Sequence, residues 1–286
     1  MVYLLLGLVA VTVTCQSVFQ QRFNTRTKGS VLFFGAMISL FAMIFFLAVN
    51  RDWSWNPILL LPAGGFAAGY ATCTVFTVLA IRHGSLAKTT FMISCSLLIP
   101  SFYGILFLNE HVSVTLVIGI LLLIVALWLI NYEKKDENTR RMTWKWVLFV
   151  SLAFVGNGMC SVVQKAEQMM FGTDGKDLFM ILALAMVTVS LLILSFVFKE
   201  ERMLCLNTLQ KGWYWALLCG FANGLTNSLV LYLNTLLPAS LMFPVISAGG
   251  IILSFLYSTV IVKERFDLRQ KIGFLIGGIS VVLLNI

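Results

Sequence analysis

Two stretches decide how this chain folds: LNEHVSVTLVIGILLLIVAL at residues 108–127 and VKERFDLRQKIGFLIGGISVVL at 262–283. In each, a charged turn closes one apolar run and opens another. A glutamate marks each turn, Glu110 and Glu264, and an Ile-Gly pair follows at 118–119 and 272–273, so both features recur 154 residues on. Working outward, "ISCSLLIPSF" at 93–102 is answered by "ISAGGIILSF" at 246–255. "GYA" at 69–71 is answered by "GFA" at 220–222, and "SVFQ" at 17–20 by "SVVQ" at 161–164. Matches kept in order with slowly drifting offsets are the trace of a duplicated unit.

The composition says what kind of unit it is. Of 286 residues, 59% are hydrophobic and 11% charged, and the mean hydropathy is +0.94. Soluble domains carry about 25% charged residues. Ten apolar runs fall at about 2–21, 30–49, 57–81, 85–108, 113–132, 146–169, 178–198, 213–235, 238–262 and 268–286. A helix needs about 20 such residues to cross the hydrocarbon core, and only helices or closed barrels satisfy their backbone there. The expected fold is therefore an all-α polytopic membrane protein. Residues 1–132 form a first five-helix repeat, 133–145 a basic cytoplasmic linker, and 146–286 a second repeat. Because five is odd, the second unit enters the membrane from the other side, giving two inverted repeats of the kind used for alternating access.

The net charge of +8 does not point to nucleic acid, because the basic residues sit in short loops between apolar runs. Seventeen of the Lys and Arg follow spans 1, 3, 5, 7 and 9, and only Arg51, Lys165 and Lys176 lie on the other side. Positive loops stay in the cytoplasm, so both termini are expected outside it, in the plasma (inner) membrane of a prokaryote. The first run has no basic flank or cleavage signal and reads as a span. Six scattered cysteines and two histidines, His83 and His111, offer no metal-ligand spacing. No metal and no cofactor are expected.

The doubled turn, the ten spans and the five-plus-five order resemble the drug/metabolite transporter superfamily, in particular its EamA-like ten-span members. That resemblance implies a solute transporter. The proline spacing departs from the family, since Pro100 lies ten residues before Glu110 and Pro244 twenty before Glu264. The orientation given by the charges is also opposite to the family's usual one. Small multidrug-resistance relatives place an essential glutamate in span 1, where this chain has Gln16.

Span 8 contains GFANGLTNSLVLYLN at 220–234. Asn223, Asn227 and Asn234 are four and seven apart and share one helix face, which is costly against lipid. Amides can serve as helix glue, for intramembrane hydrogen bonds average only about 0.6 kcal/mol. Polar residues on spans 1, 3 and 6 (Gln16 and Gln20; Tyr70 and Thr74; Asn157, Ser161 and Gln164) favour a shared cavity instead. Those residues, with Asn223, Asn227 and Tyr232, are the expected substrate-binding set, and Phe221 is a candidate wall or gate. Pro100, Pro244, Gly249 and Gly250 are candidate hinges. Lys88 and Lys165 are expected to snorkel to the head groups, and Glu110 and Glu264 to anchor turns.

The function expected is carriage of a small polar organic solute, an amino acid, a nucleobase-like compound or a related metabolite, by uniport or exchange. The acting unit is expected to be a monomer or homodimer. A proton-coupled multidrug exporter is the nearest alternative, and no carboxylate at mid-span supports it. A lipid-modifying membrane enzyme or a non-transporting partner subunit are the others, and no carboxylate–histidine cluster supports the first.

Overall fold

The computed structural model describes residues 2–50, 53, 56–83, 89, 92–93, 95–96, 98–110, 112–130, 143–172, 175–257 and 267–284. Among them the chain forms ten α-helices and no strand. These are α1 (Val2–Arg26), α2 (Val31–Val49), α3 (Leu60–His83, preceded by a 3-10 turn at Pro57–Leu59), α4 (Leu98–Phe107) and α5 (Val114–Ile130). The remainder are α6 (Trp144–Phe171), α7 (Lys176–Val197), α8 (Lys199–Leu236), α9 (Ala239–Tyr257) and α10 (Leu268–Leu284). Six of them are long and apolar enough to cross a membrane. Residues 133–142 of the expected linker, together with Lys88 and Glu264, lie outside the described residues.

Local chemistry sets the helix ends. The Ser30 hydroxyl caps α2 by accepting from Phe33 N–H at 3.1 Å, and Thr143 caps α6 through Trp146 N–H at 3.3 Å. At the end of α4, Asn109 takes φ 50° and Glu110 N–H donates back to Gly104 O at 3.2 Å, a Schellman-type stop. This fold-back lays the Glu110 carboxylate against Gly104, where a Cβ would collide with it.

The largest departure from the sequence reading is α8. A loop was expected before residue 213, yet the helix runs unbroken from Lys199 for 38 residues, about 57 Å at 1.5 Å per residue. No Pro interrupts residues 199–212, and Glu200 and Glu201 in the first turn complement the helix dipole. The extension props the α1–α2 connection. Thr208 Oγ1 accepts from Ser30 N–H at 2.8 Å, Glu201 Oε2 accepts from the Ser30 hydroxyl at 2.7 Å, and Asn207 Nδ2 donates to Thr27 O at 2.7 Å.

Many of the helix contacts recur between the two sequence halves, while α9–α10 and α6–α8 have no counterpart of similar extent among the described residues. The pair α3–α6 has its counterpart in α8–α1, α3–α7 in α8–α2, α1–α9 in α6–α4, and α2–α3 in α7–α8. The pairs α2–α7, α4–α9 and α5–α10 are their own counterparts. At the crossing of α3 on α6 the backbones come close, since a Cβ on Gly69 would stand 2.9 Å from Gly156 O, and one on Gly156 2.7 Å from Gly69 O. Small residues at such a crossing let two backbones touch, as membrane helices require.

Candidate substrate cavity

Helices α1, α2, α3, α6 and α8 enclose a cavity of about 700 Å³, within the range of about 300–1,000 Å³ common to small-molecule sites. Its wall takes Gln16, Gln20 and Asn24 from the last turns of α1, and Phe34, Gly35 and Ile38 from the first turns of α2. The α3 residues Tyr70, Cys73, Thr74 and Thr77 face them, with Asn157 of α6 and Asn223 of α8 deeper in. Successive helices run in opposite senses, so the end of α1, the start of α2, the end of α3 and the start of α8 lie at one end of the bundle. The cavity opens toward that end, beside Asn24, Val31, Ile81 and Glu201.

Of the ten residues expected to bind substrate, six line this cavity: Gln16, Gln20, Tyr70, Thr74, Asn157 and Asn223. The other four lie outside its wall. Gln164 is buried and donates through Nε2 to Asn227 Oδ1 at 2.8 Å, and Asn227 Nδ2 donates to Asn223 Oδ1 at 2.9 Å. Ser161 is buried on the same helix. Tyr232 lies toward the far end, with Lys176 Nζ 5.6 Å above its ring. Phe221 is an outward residue, 48% exposed, in edge contact with Phe45. Helical spacing placed the amides on an inward face, but which of them satisfy one another is decided by neighbouring helices.

Sequence reading missed Asn24 and Glu201. Asn24 continues the Gln16, Gln20 series at intervals of four residues, a signal present in the sequence. Glu201 could not be found so, because the segment carrying it read as a loop. Its carboxylate also accepts from Leu32 N–H at 3.2 Å, so it caps α2 at the rim of the cavity. Among the described lining residues Glu201 is the one charged group; the rest of the polar wall is amide, hydroxyl and thiol.

At the opposite end of the bundle Lys165 ties α6 to the ends of α8 and α4. This side chain is 4% exposed and does not snorkel. Its Nζ donates to Asn234 O and to Leu237 O, each at 2.9 Å, and stands 4.0 Å from Glu110 Oε1. Glu110 in turn accepts from Ala239 N–H and Ser240 N–H at 2.8 Å each, capping α9 rather than its own turn. One ammonium thus satisfies carbonyls left over at the end of α8, while one carboxylate satisfies the donors at the start of α9. Glu167, fully buried nearby in sequence, has its carboxylate bonded to Gln168.

The candidate hinges are also placed. Pro100 is the third residue of α4, where its missing N–H breaks no helical bond. Just before it Ser96 makes a turn, with Ser96 N–H bonded to Ile93 O and Ile99 N–H to Ser96 O, both at 3.0 Å. Pro244 lies inside α9. A Cβ on Gly249 would stand 3.0 Å from that of Ala10, and Gly250 faces Val13 more loosely, so both glycines serve the packing of α9 on α1.

Apolar helices packed around a cavity lined by amides and hydroxyls together with apolar side chains are the architecture of a multi-pass integral membrane transporter. The chain belongs to the sugar transport protein family, whose family model matches residues 5–286. A solved crystal structure is similar with a TM-score of 0.78 at 12% sequence identity, covering 99% of this chain and 95% of that one. At that identity the likeness bears on the fold alone. No curated protein matches the sequence.

Proposed function

We propose that the protein is a secondary carrier for a small, uncharged, hydroxyl-rich solute, of which monosaccharides are the first class to test. The observation that carries this reading is the wall of the cavity. Among the described residues, five amides and several hydroxyls converge on it, none of the lining is Lys or Arg, and the one carboxylate is engaged with Ser30 and Leu32. Amino acids bring a carboxylate and an ammonium and would want fixed opposite charges. Polyols want a dense set of neutral donors and acceptors over a partly apolar surface. Membership of the sugar transport protein family supports this choice.

The mechanism proposed is rocking of two inverted halves, 1–132 and 146–286, about an axis in the membrane plane, in the manner of EamA-like members of the drug/metabolite superfamily. The paired helix contacts support it. With the basic loops in the cytoplasm, both termini would lie outside and the cavity would face inward, closed toward the outside by Lys165 and Glu110. Uniport or exchange is favoured over proton-coupled drug export because α1 presents Gln16 to the cavity where small multidrug-resistance relatives have glutamate, and the one carboxylate among the described lining residues, Glu201, is taken up by capping α2. A prokaryotic inner membrane is the proposed location.

The test is counterflow in proteoliposomes of the purified chain, loaded with glucose, galactose, mannose or ribose. Accumulation of the labelled sugar, lost on Asn157→Leu, is expected. No counterflow of any sugar, with counterflow of amino acids or nucleobases, would overturn the sugar reading. A tag at the C-terminus that a protease reaches only in inside-out vesicles would overturn the orientation.

A further inference from the structure

We infer that the carrier reads its solute through two amides of fixed and opposite polarity, Asn223 presenting a donor and Asn157 an acceptor, with Gln164 and Asn227 as positioning residues behind Asn223. This rests on the cavity being the solute site.

The two ends of an amide are assigned from the groups around them, and here backbone carbonyls make the assignment. A carbonyl oxygen only accepts. Asn227 Nδ2 lies 2.9 Å from Asn223 O, so the NH2 of Asn227 points at Asn223. The Oδ1 of Asn227 then points the other way, where Gln164 Nε2 donates to it at 2.8 Å. The same Asn227 Nδ2 is 2.9 Å from the side chain of Asn223, and only the oxygen of that side chain can receive it. Asn223 therefore turns Oδ1 toward Asn227 and keeps Nδ2 for the cavity it lines.

Asn157 is set the opposite way by the same reasoning. The Ser96 hydroxyl spends its single proton on Ile93 O at 2.6 Å. Its oxygen can then only accept, so the Asn157 atom 2.6 Å from it is Nδ2, and Oδ1 is left for the cavity. Thr74 adds a second acceptor, its proton being donated to Tyr70 O at 2.9 Å. Neither Asn157 Oδ1 nor Asn223 Nδ2 has a protein partner among the described residues.

The facing wall differs. Gln16, Gln20 and Asn24 follow one another at four-residue steps along α1 and line the cavity. Their side-chain amides make no bond to the described protein, so each can turn either way. One side of the site is locked by a network that a flipped amide would break, and the other adapts. Selectivity resides in the locked side.

A hydroxyl can accept or donate, a fluorine in its place can only accept, and a hydrogen can do neither. The test measures competition of counterflow by glucose, galactose and mannose and by their mono-deoxy and mono-deoxyfluoro forms. At the hydroxyl facing Asn223, the deoxyfluoro sugar is expected to compete about threefold or more better than the deoxy sugar, the size of a weak hydrogen bond. At the hydroxyl facing Asn157, both are expected to be equally poor. Asn227→Asp removes the donor that holds Asn223, whose amide then turns over and offers Oδ1. The fluoro-over-deoxy advantage should disappear while the parent sugar, able to donate instead, still competes. Asn227→Thr, whose hydroxyl can donate to Asn223 O as Thr74 does to Tyr70 O, asks the same question without adding a charge and should give the same loss. Purified wild type in which no position favours fluoro over deoxy, or folded variants that keep the advantage, would overturn the inference. If no parent sugar competes in wild type, the sugar reading itself fails, and this inference fails with it.

Discussion

Lys165 of α6 places its ammonium 4.0 Å from the Glu110 carboxylate that ends α4, joining the two halves of the sequence at the closed end of the bundle. The contact draws in four helices, because Lys165 also holds carbonyls of Asn234 and Leu237 and Glu110 holds the first N–H groups of α9. In the proposed carrier cycle this cluster is the contact that would open for the solute to leave by that end.

Replacing Lys165 with Met strands the Glu110 charge and two carbonyls. Removing one member of a buried pair costs up to about 3–5 kcal/mol; the 4.0 Å separation puts this case at the lower end. The closed state should lose population to one open at that end. Asn234, 2% exposed and with a side chain lacking a partner, is a suitable reporter: an Asn234→Cys label should react with an impermeant maleimide faster in Lys165→Met than in the parent. Adding Glu110→Gln should reverse part of the change. Equal labelling rates would remove Lys165 from the gate.

The α3–α6 crossing should tolerate no side chain. Gly156→Leu drives its Cβ into Gly69 O and Cys73 N, at 2.7 and 2.8 Å, and overpacking of this kind costs about 1–3 kcal/mol or more. A lowered melting temperature in detergent is expected. Gly64→Leu, with nothing within 4 Å of its Cβ, should melt like the wild type.

The extension of α8 should matter for the rim of the cavity. Glu201→Ala removes the acceptor of the Ser30 hydroxyl and of Leu32 N–H, and a lost buried partner or cap costs about 1–2 kcal/mol. A destabilised protein with weakened counterflow is expected. Truncating a neighbouring exposed residue, Met203→Ala, should change neither.

Cys73 lines the cavity, whereas Cys15 faces outward, Cys95 is half-buried against Leu123 and Leu127, and Cys160, Cys205 and Cys219 are buried. A small thiol reagent admitted at the open end should block counterflow, Cys73→Ser should be resistant, and bound sugar should slow the reaction. Inhibition that persists in Cys73→Ser would place the sensitive thiol elsewhere.

Much of this architecture was legible in the chain. The doubled Glu-turn-Gly pattern and the charge-free runs gave ten helices, since lipid admits few other solutions for a backbone. Four-residue spacing put Asn223 and Asn227 on one inward face. The spacing could not tell that Asn227 is spent on Gln164 and Asn223, because a hydrogen-bond partner on another helix leaves no mark in local periodicity. Lys165 looked like a side chain bound for the head groups for the same reason: its acceptors are carbonyls of α8, 69 and 72 residues away.

What the sequence settled by itself, then, was the count of helices, the apolar setting and the residue types available for recognition, because hydropathy and periodicity are local and each helix satisfies its own backbone. Only the tertiary structure decided which amides face the cavity, which way round they are held, and which end is closed. Those properties belong to pairs of atoms on different helices, and they exist only once the helices are packed.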